Sequence, residues 1–464
     1  MSDTHDITRR DAVKMAGAAT AIVAARKLRG APGLQKVHAA SEVVNYAVIG
    51  TGGRGTYLLR HLNGLDGGRC VAVCDIKDEA LQGAIETSKD NPQGYKDYRE
   101  VLAREDIAGV IIAVPLYVHF PVTRDALLAG KHVFCEKSLV FTAAEVHALR
   151  ALARQRPKQI LQVGLQRRYS RFYQTAKQMI DKGMIGEVTH IRAQWHRSGM
   201  SATWSPPSWR VYRKYSGGLT AELASHQIDV ADWMFGATPE FVVGVGGIDT
   251  YNDGRDLADN IQFIYNYPGG RKLMYSSICT NSHLALFHGE RKEFGEIIMG
   301  TEGTIHITVG SDKEPVLGIW FYEPSPATLE KMKAGGAEEK PKVAGATLES
   351  TGKGQRGWPI LFEEDMVTGE ESFLSRELKY AKMWLYQKGV MVPEEQNPVD
   401  TELLGFFDSI RTGKRPLADV EVGLADSANV ILSNIAIDRG DRVYFKEIDD
   451  MGRDEVPALL QSAG

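Results

Sequence analysis

The chain has 464 residues, of which 43% are hydrophobic and 25% charged. That length suits two or three domains, and the composition excludes a disordered, collagen-like or polytopic membrane protein. Fifty-five Lys and Arg against 59 Asp and Glu leave a net charge of -4, with no basic excess for nucleic acid or an anionic membrane. Four cysteines without a CxxC pair cannot build a disulfide framework.

Residues 1–39 read as an export signal. Thr8-Arg9-Arg10-Asp11-Ala12-Val13-Lys14 precedes a small, apolar run from Met15 to Ala25, too short to span a bilayer. Val37-His38-Ala39 then suits signal peptidase. The paired arginines resemble the twin-arginine signal, although Ala12 stands where a large apolar residue is usual. This predicts export by the twin-arginine machinery to the periplasm. That route carries folded proteins, so a cofactor loaded in the cytoplasm is expected next.

Val43–Ile49 is a β-rich run leading into Gly50-Thr51-Gly52-Gly53-Arg54-Gly55, with Leu58, Leu59 and Leu62 on one helical face behind it. In such a GxGxxG turn Gly50 makes the tight bend, Gly52 admits a pyrophosphate and Gly55 lets helix and strand pack. Gly53 and Arg54 open the helix, whose N-terminus offers free N–H groups. A second strand, Cys70–Cys74, ends in Asp75, twenty residues after Gly55. A carboxylate there accepts both ribose hydroxyls and repels a 2′-phosphate, favouring NAD over NADP. Further strands at 110–114, 131–135 and 160–164 alternate with helices at 121–129 and 143–154. The pattern predicts an N-terminal Rossmann domain, residues 43–165, with a doubly wound parallel sheet. Ligands of such sheets lie at the strands' carboxyl ends, which places Val114, Pro115, His119, Glu136 and Lys137 beside the cofactor.

Residues 166–446 predict an α+β domain. Closely spaced strands at 185–194, 241–245, 260–267, 272–279, 296–299 and 304–309 make a large, open, mostly antiparallel sheet, with a helix at 220–235 packed on it. An insertion is expected at about 312–395. Within it, 324–357 reads as a surface loop and 370–389 as an amphipathic helix. Residues 447–464 read as a tail. Cys70, Cys74 and Cys135 read as core residues. His190, His196, His283 and His288 show no metal-ligand spacing, so no metal is expected.

VIGTGGRG at 48–55, AVCD at 72–75, GKHVFCEKS at 130–138, GLQRRY at 164–169 and GGLTAELASHQIDVADWMFG at 217–236 together resemble the glucose–fructose oxidoreductase, inositol dehydrogenase and rhizopine-catabolism (Gfo/Idh/MocA) family. The return at 406–443 resembles it too. The family usually has Glu-Lys-Pro where this chain has Glu136-Lys137-Ser138, and Asp where it has Glu222.

The resemblance implies a tightly held NAD, a sugar or polyol substrate and a homo-dimer or homo-tetramer built on the bare sheet face. It implies that Lys137 holds the reacting oxygen. Glu222 and His226, spaced i and i+4, would share a helix face, with His226 as proton acceptor and Glu222 orienting it or binding a hydroxyl. Asp229 is assigned to the substrate site and to support of the imidazole. Arg167 and the aromatic, arginine-rich stretch that runs from Trp195-His196-Arg197 to Trp204 and then bears Trp209, Arg210 and Tyr215 complete the substrate set, although that stretch reads equally well as an oligomer contact. The expected function is hydride transfer between a secondary hydroxyl and NAD. A glycosidase that oxidises its sugar transiently and recycles its NAD is the alternative, although the histidine-glycine sequence of such relatives is not evident here. A non-catalytic dinucleotide-binding subunit is the third reading.

Overall fold

The computed structural model describes residues 43–281, 294–309, 317–334, 358–359, 372 and 396–461. The expected export signal, His283 and His288 lie outside the described residues, as does the expected helix at 370–389 save Ser372.

The first sheet has six parallel strands in the order β3-β2-β1-β4-β5-β6. They are β1 (Val44–Ile49), β2 (Gly68–Cys74), β3 (Gln93–Tyr95), β4 (Gly109–Ile112), β5 (His132–Cys135) and β6 (Leu161–Val163). Helices α1 (Gly53–Leu62), α2 (Asp78–Thr87), α3 (Tyr98–Leu102), α4 (His119–Leu128) and α5 (Ala143–Gln155) connect them. The central strands are mostly apolar because helices cover both faces. Register sets the site. Ile49 lies opposite both Cys74 and Ile112, Ile112 opposite Cys135, and Cys135 opposite Val163. The residues that follow, Gly50, Asp75, Ala113, Glu136 and Gly164, therefore emerge along one edge.

Helix α6 (Arg171–Asp181) leads to the second sheet. Its strands are β7 (Val188–His196), β8 (Phe241–Gly247), β9 (Asn260–Tyr267), β10 (Arg271–Ile278), β11 (Phe294–Gly300), β12 (Gly303–Val309), β13 (Leu317–Tyr322), β14 (Trp358–Pro359) and β15 (Val443–Tyr444). The order is β14-β13-β12-β11-β7-β10-β9-β8-β15, and every pair is antiparallel except β7 with β10. One face packs on α7 (Ser225–Phe235) through Ile228, Ala231, Phe263 and Leu273. The other leaves Val243, Ile264 and Met274 exposed in one cross-strand row.

Three expectations need correcting. The stretch 324–357 is not loop from its start, since Pro326–Ala334 forms α8. The helix expected over 220–235 begins as a π-turn, Thr220–Ala224, before α7. The division at 165/166 also misplaces the C-terminal return. Helix α9 (Pro398–Thr412) seats Leu403, Phe406 and Phe407 on the parallel sheet with Tyr46, Val48 and Leu58. Helix α10 (Val420–Arg439) joins both cores, Leu424 packing with the parallel sheet and Leu432 and Ala436 with the second. Residues 456–460, expected as tail, form α11, whose Leu459 and Leu460 pack on the first domain.

Glycines make room for α9: a Cβ on Gly68 would meet the Phe407 ring at 2.4 Å. Phe407 is fully buried, and its ring centroid lies 5.3 Å from that of Tyr46. Phe407→Ala is expected to lower unfolding stability by about 3–5 kcal/mol, read as a shift in the urea midpoint. An unchanged midpoint would show that α9 is not part of the first domain's core.

Candidate active site

The glycine turn forms one end of a cleft of about 1200 Å³ that runs between the domains. Gly50 has φ +86°, and a Cβ there would lie 2.7 Å from the Val114 nitrogen. A Cβ on Gly55 would lie 1.9 Å from the Gly50 oxygen, so helix and strand meet backbone to backbone. Gly52 and Gly53 face open space and line the cleft, as does Arg54. Gly52 caps α1 with no side-chain hydrogen bond, leaving the first N–H groups of that helix for an anion. Asp75 accepts from the Thr51 nitrogen at 2.8 Å and the Lys77 nitrogen at 2.9 Å. It braces the turn and still lines the cleft. A cradle that tolerates no side chain at Gly50, an uncapped helix start and a carboxylate beside them fit a dinucleotide.

Val114, Pro115 and His119 also line the cleft. The His119 ring nitrogens lie 2.7 Å from the Ser138 oxygen and 2.9 Å from the Val114 oxygen. His119 therefore ties together the loops after β4 and β5, a tighter structural role than cofactor contact alone. Glu136 is held by Arg54 at 2.6 Å and does not pair with Lys137.

Lys137 is half-buried among charges. Its Nζ donates to the carbonyls of Ala221 at 3.2 Å and Glu222 at 2.8 Å, both in the π-turn. Burial lowers its pKa from the ordinary 10.5, an effect opposed by Glu222, Glu136 and Asp426. An ammonium carries three N–H donors, so one remains for a ligand. Burial, then the cations Lys137, Arg167 and Arg54, hold His226 well below its ordinary 6.5, so the imidazole is neutral. Its Nδ1 is buried without a partner, which leaves Nε2 to exchange a proton with the cleft. Burial alone would raise Glu222, but Lys137 and Arg210 outweigh it and hold it below the usual carboxylate range.

Two expected pairings are not formed. Glu222 does not orient the imidazole: its Oε2 accepts from Arg210 Nε at 3.1 Å. The π-turn breaks the i, i+4 alignment that an unbroken helix would have imposed. Asp229 supports neither His226 nor a ligand. It takes a bidentate bond from Arg168, at 2.9 Å to Nε and 2.7 Å to Nη2, and does not line the cleft.

Of the remaining substrate candidates, Arg167, Trp209 and Arg210 line the cleft. Arg167 reaches Glu296 at 2.5 Å, and Glu296 also accepts from Tyr173 at 2.6 Å. Tyr215 stands behind the wall, its centroid 4.9 Å from that of Tyr117, which does line the cleft. Trp195, Trp204 and Arg197 line it as well. The aromatic–arginine stretch had pointed to them without singling them out. Glu296 and Arg168 were missed, because neither the strand nor the GLQRRY motif shows which partner each meets. Glu402 and Asp426 are buried without hydrogen-bond partners, and burial raises both well above the usual carboxylate range. Cys70, Cys74 and Cys135 are buried, and no group of three or more metal-ligand side chains occurs among the described residues.

Residues 44–165 match the family model described as "Oxidoreductase family, NAD-binding Rossmann fold", and residues 173–306 match "GFO/IDH/MocA C-terminal domain". Inositol 2-dehydrogenase of Salmonella typhimurium is 31% identical over 188 residues, 40% of this chain and 53% of that protein. The chain thus spans about half the length of the curated relatives it matches. Two solved structures share the fold. Aldose-aldose oxidoreductase from Caulobacter crescentus superposes with a TM-score of 0.64 at 18% identity, over 87% of this chain and 100% of the other. Scyllo-inositol dehydrogenase from Lactobacillus casei, with bound NAD(H) and scyllo-inositol, gives 0.61 at 18%, over 87% and 99%. The dinucleotide cradle and the sheet domain behind it are each matched, in chain order, by a model of one family, and together the models span more than half of the sequence: the chain belongs to the Gfo/Idh/MocA oxidoreductases.

Proposed function

We propose that this protein is an NAD-dependent oxidoreductase that oxidises a secondary hydroxyl of a sugar or polyol. The observation that carries this is Lys137: an ammonium with one uncommitted N–H, in one cleft with a neutral His226 and the glycine turn. Bound at Gly50, Gly52, Gly53 and Asp75, NAD supplies the acceptor for the hydride that leaves the carbinol carbon. The chain's own residues handle the oxygen and its proton. The free N–H of Lys137 donates to the hydroxyl oxygen and stabilises it as negative charge develops. His226 Nε2 takes the hydroxyl proton, and a carbonyl remains on the substrate. Glu222, paired with Arg210, fixes the loop that closes the cleft. Named relatives that act on inositols support the substrate class.

Two further readings belong to this proposal. The twin-arginine motif supports export of the folded, NAD-loaded protein. The exposed row Val243–Ile264–Met274 supports a second copy of this chain covering the open sheet.

Lys137→Ala and His226→Ala are each expected to lower kcat by about 100- to 10,000-fold while the protein still binds NAD. Because the imidazolium is disfavoured, the acid limb of wild-type kcat/KM against pH should lie below 6.5. Because the Lys137 ammonium is disfavoured, the alkaline limb should lie below 10.5. NADH should accumulate from free sugars or polyols without cleavage of aryl glycosides. Cleavage with no net NADH would replace this reading with a redox-cycling glycosidase. For export, residues 1–42 fused to a folded fluorescent reporter should carry it to the periplasm, and Arg9→Lys with Arg10→Lys should block that. Ile264→Asp should reduce the mass measured by light scattering from a dimer or tetramer to a monomer. A monomeric wild type would overturn the assembly.

A further inference from the structure

The arginines around the reacting end of the cleft are matched by carboxylates, with one exception. Arg54 pairs with Glu136, Arg167 with Glu296 and Arg210 with Glu222. Arg197, just past the end of β7, has no ion-pair partner among the described residues, and its Nε is buried without a hydrogen bond. Its guanidinium lies 5.8 Å from the Trp195 ring centroid and 5.2 Å from that of Trp204. Indoles beside a guanidinium cover its faces and leave its planar edge of N–H donors for a ligand. The Trp195 Nε1 is a second buried donor without a partner. Two unmatched donors, one of them on a guanidinium, fit an anionic acceptor better than a neutral hydroxyl, because a charge-assisted hydrogen bond is about twice as strong as a neutral one.

The position is also suitable. Trp195 borders both centres: its ring centroid is 5.7 Å from that of His226 and 5.8 Å from the Arg197 guanidinium carbon. A ligand can therefore reach the reacting pair with one end and Arg197 with the other. We propose that Arg197 makes this an acidic-sugar site, in which a monosaccharide carboxylate such as a hexuronic acid presents its carboxylate to Arg197 and a secondary hydroxyl to Lys137 and His226. This rests on the oxidoreductase reading for the reacting hydroxyl alone; the anion site stands on Arg197 and its neighbours.

The test compares D-glucuronate and D-galacturonate with D-glucose and D-galactose, using the full chain and NAD. Wild-type kcat/KM is expected to favour the acids by about 10- to 100-fold, the worth of a charged hydrogen-bonded pair. Arg197→Gln should abolish that preference, mainly through KM, and Arg197→Lys should retain part of it. Retained NAD binding and thermal midpoint would show that each variant folds. A wild type that prefers the neutral sugars, or an Arg197→Gln variant that keeps the acid preference, overturns the proposal and leaves the oxidoreductase reading intact. If no sugar reduces NAD, tryptophan fluorescence is titrated with the same two acids, since Trp195 and Trp204 flank the guanidinium. A saturable change lost in Arg197→Gln upholds the anion site while the oxidoreductase reading falls. No change overturns it.

Discussion

Two hydrogen bonds from one ammonium connect the domains inside the cleft. Lys137 follows β5 of the parallel sheet, and its Nζ rests on the carbonyls of Ala221 and Glu222 in the second domain. A buried ammonium is costly unless its donors are satisfied. The π-turn offers the carbonyls of two successive residues, Ala221 and Glu222. The same contact ties the turn that precedes His226 to the edge where Gly50, Asp75 and Glu136 emerge. Helix α10 supports that arrangement from behind, with one end in each core.

Charge around the cleft follows one pattern: of the arginines that line it, all but Arg197 have a carboxylate partner. Buried pairs of this kind contribute little net stability, because desolvation offsets the attraction, but breaking one is expensive. Their value lies in position. Arg54 holds Glu136 beside the dinucleotide cradle, Arg168 holds Asp229 on α7, and Arg167 joins the loop after β6 to β11 through Glu296. Each pair joins elements far apart in sequence, so each fixes one element against another within its own domain. The cations also keep the His226 imidazole unprotonated, since a second positive charge there meets Lys137, Arg167 and Arg54.

Much of the first domain was legible because its signals are local. The strand running into Gly50, the spacing from Gly55 to Asp75 and the short βα links each lie within a few dozen residues, and together they identify the parallel sheet and its ligand edge. Lys137 and His226 were singled out through a family resemblance, not through spacing, and the fold brings both to one cleft. What was hidden depends on distant partners. Phe407 reads as an ordinary helix residue, and nothing near it reveals that its partner is Tyr46. Asp229 sits three residues from His226, yet its carboxylate turns to Arg168, 61 residues away. α8 was read as loop because its residues are small and charged, although Ser325 and Glu302 fasten its start through Thr328.

The π-turn shows why spacing alone misassigned Glu222. In an unbroken helix, residues four apart stack on one face, so a glutamate and a histidine at that distance meet. Widening a single turn leaves both residues in the cleft but separates their tasks. Glu222 turns to Arg210 in the loop over the cleft, and His226 keeps a bare Nδ1 and a neutral ring. A carboxylate bonded to that ring would have raised its pKa and given it a charge near neutral pH. With the carboxylate committed to the loop, the imidazole stays neutral, buried and among cations. The carbonyls of Ala221 and Glu222, in the same widened turn, hold Lys137, so one local irregularity touches both residues.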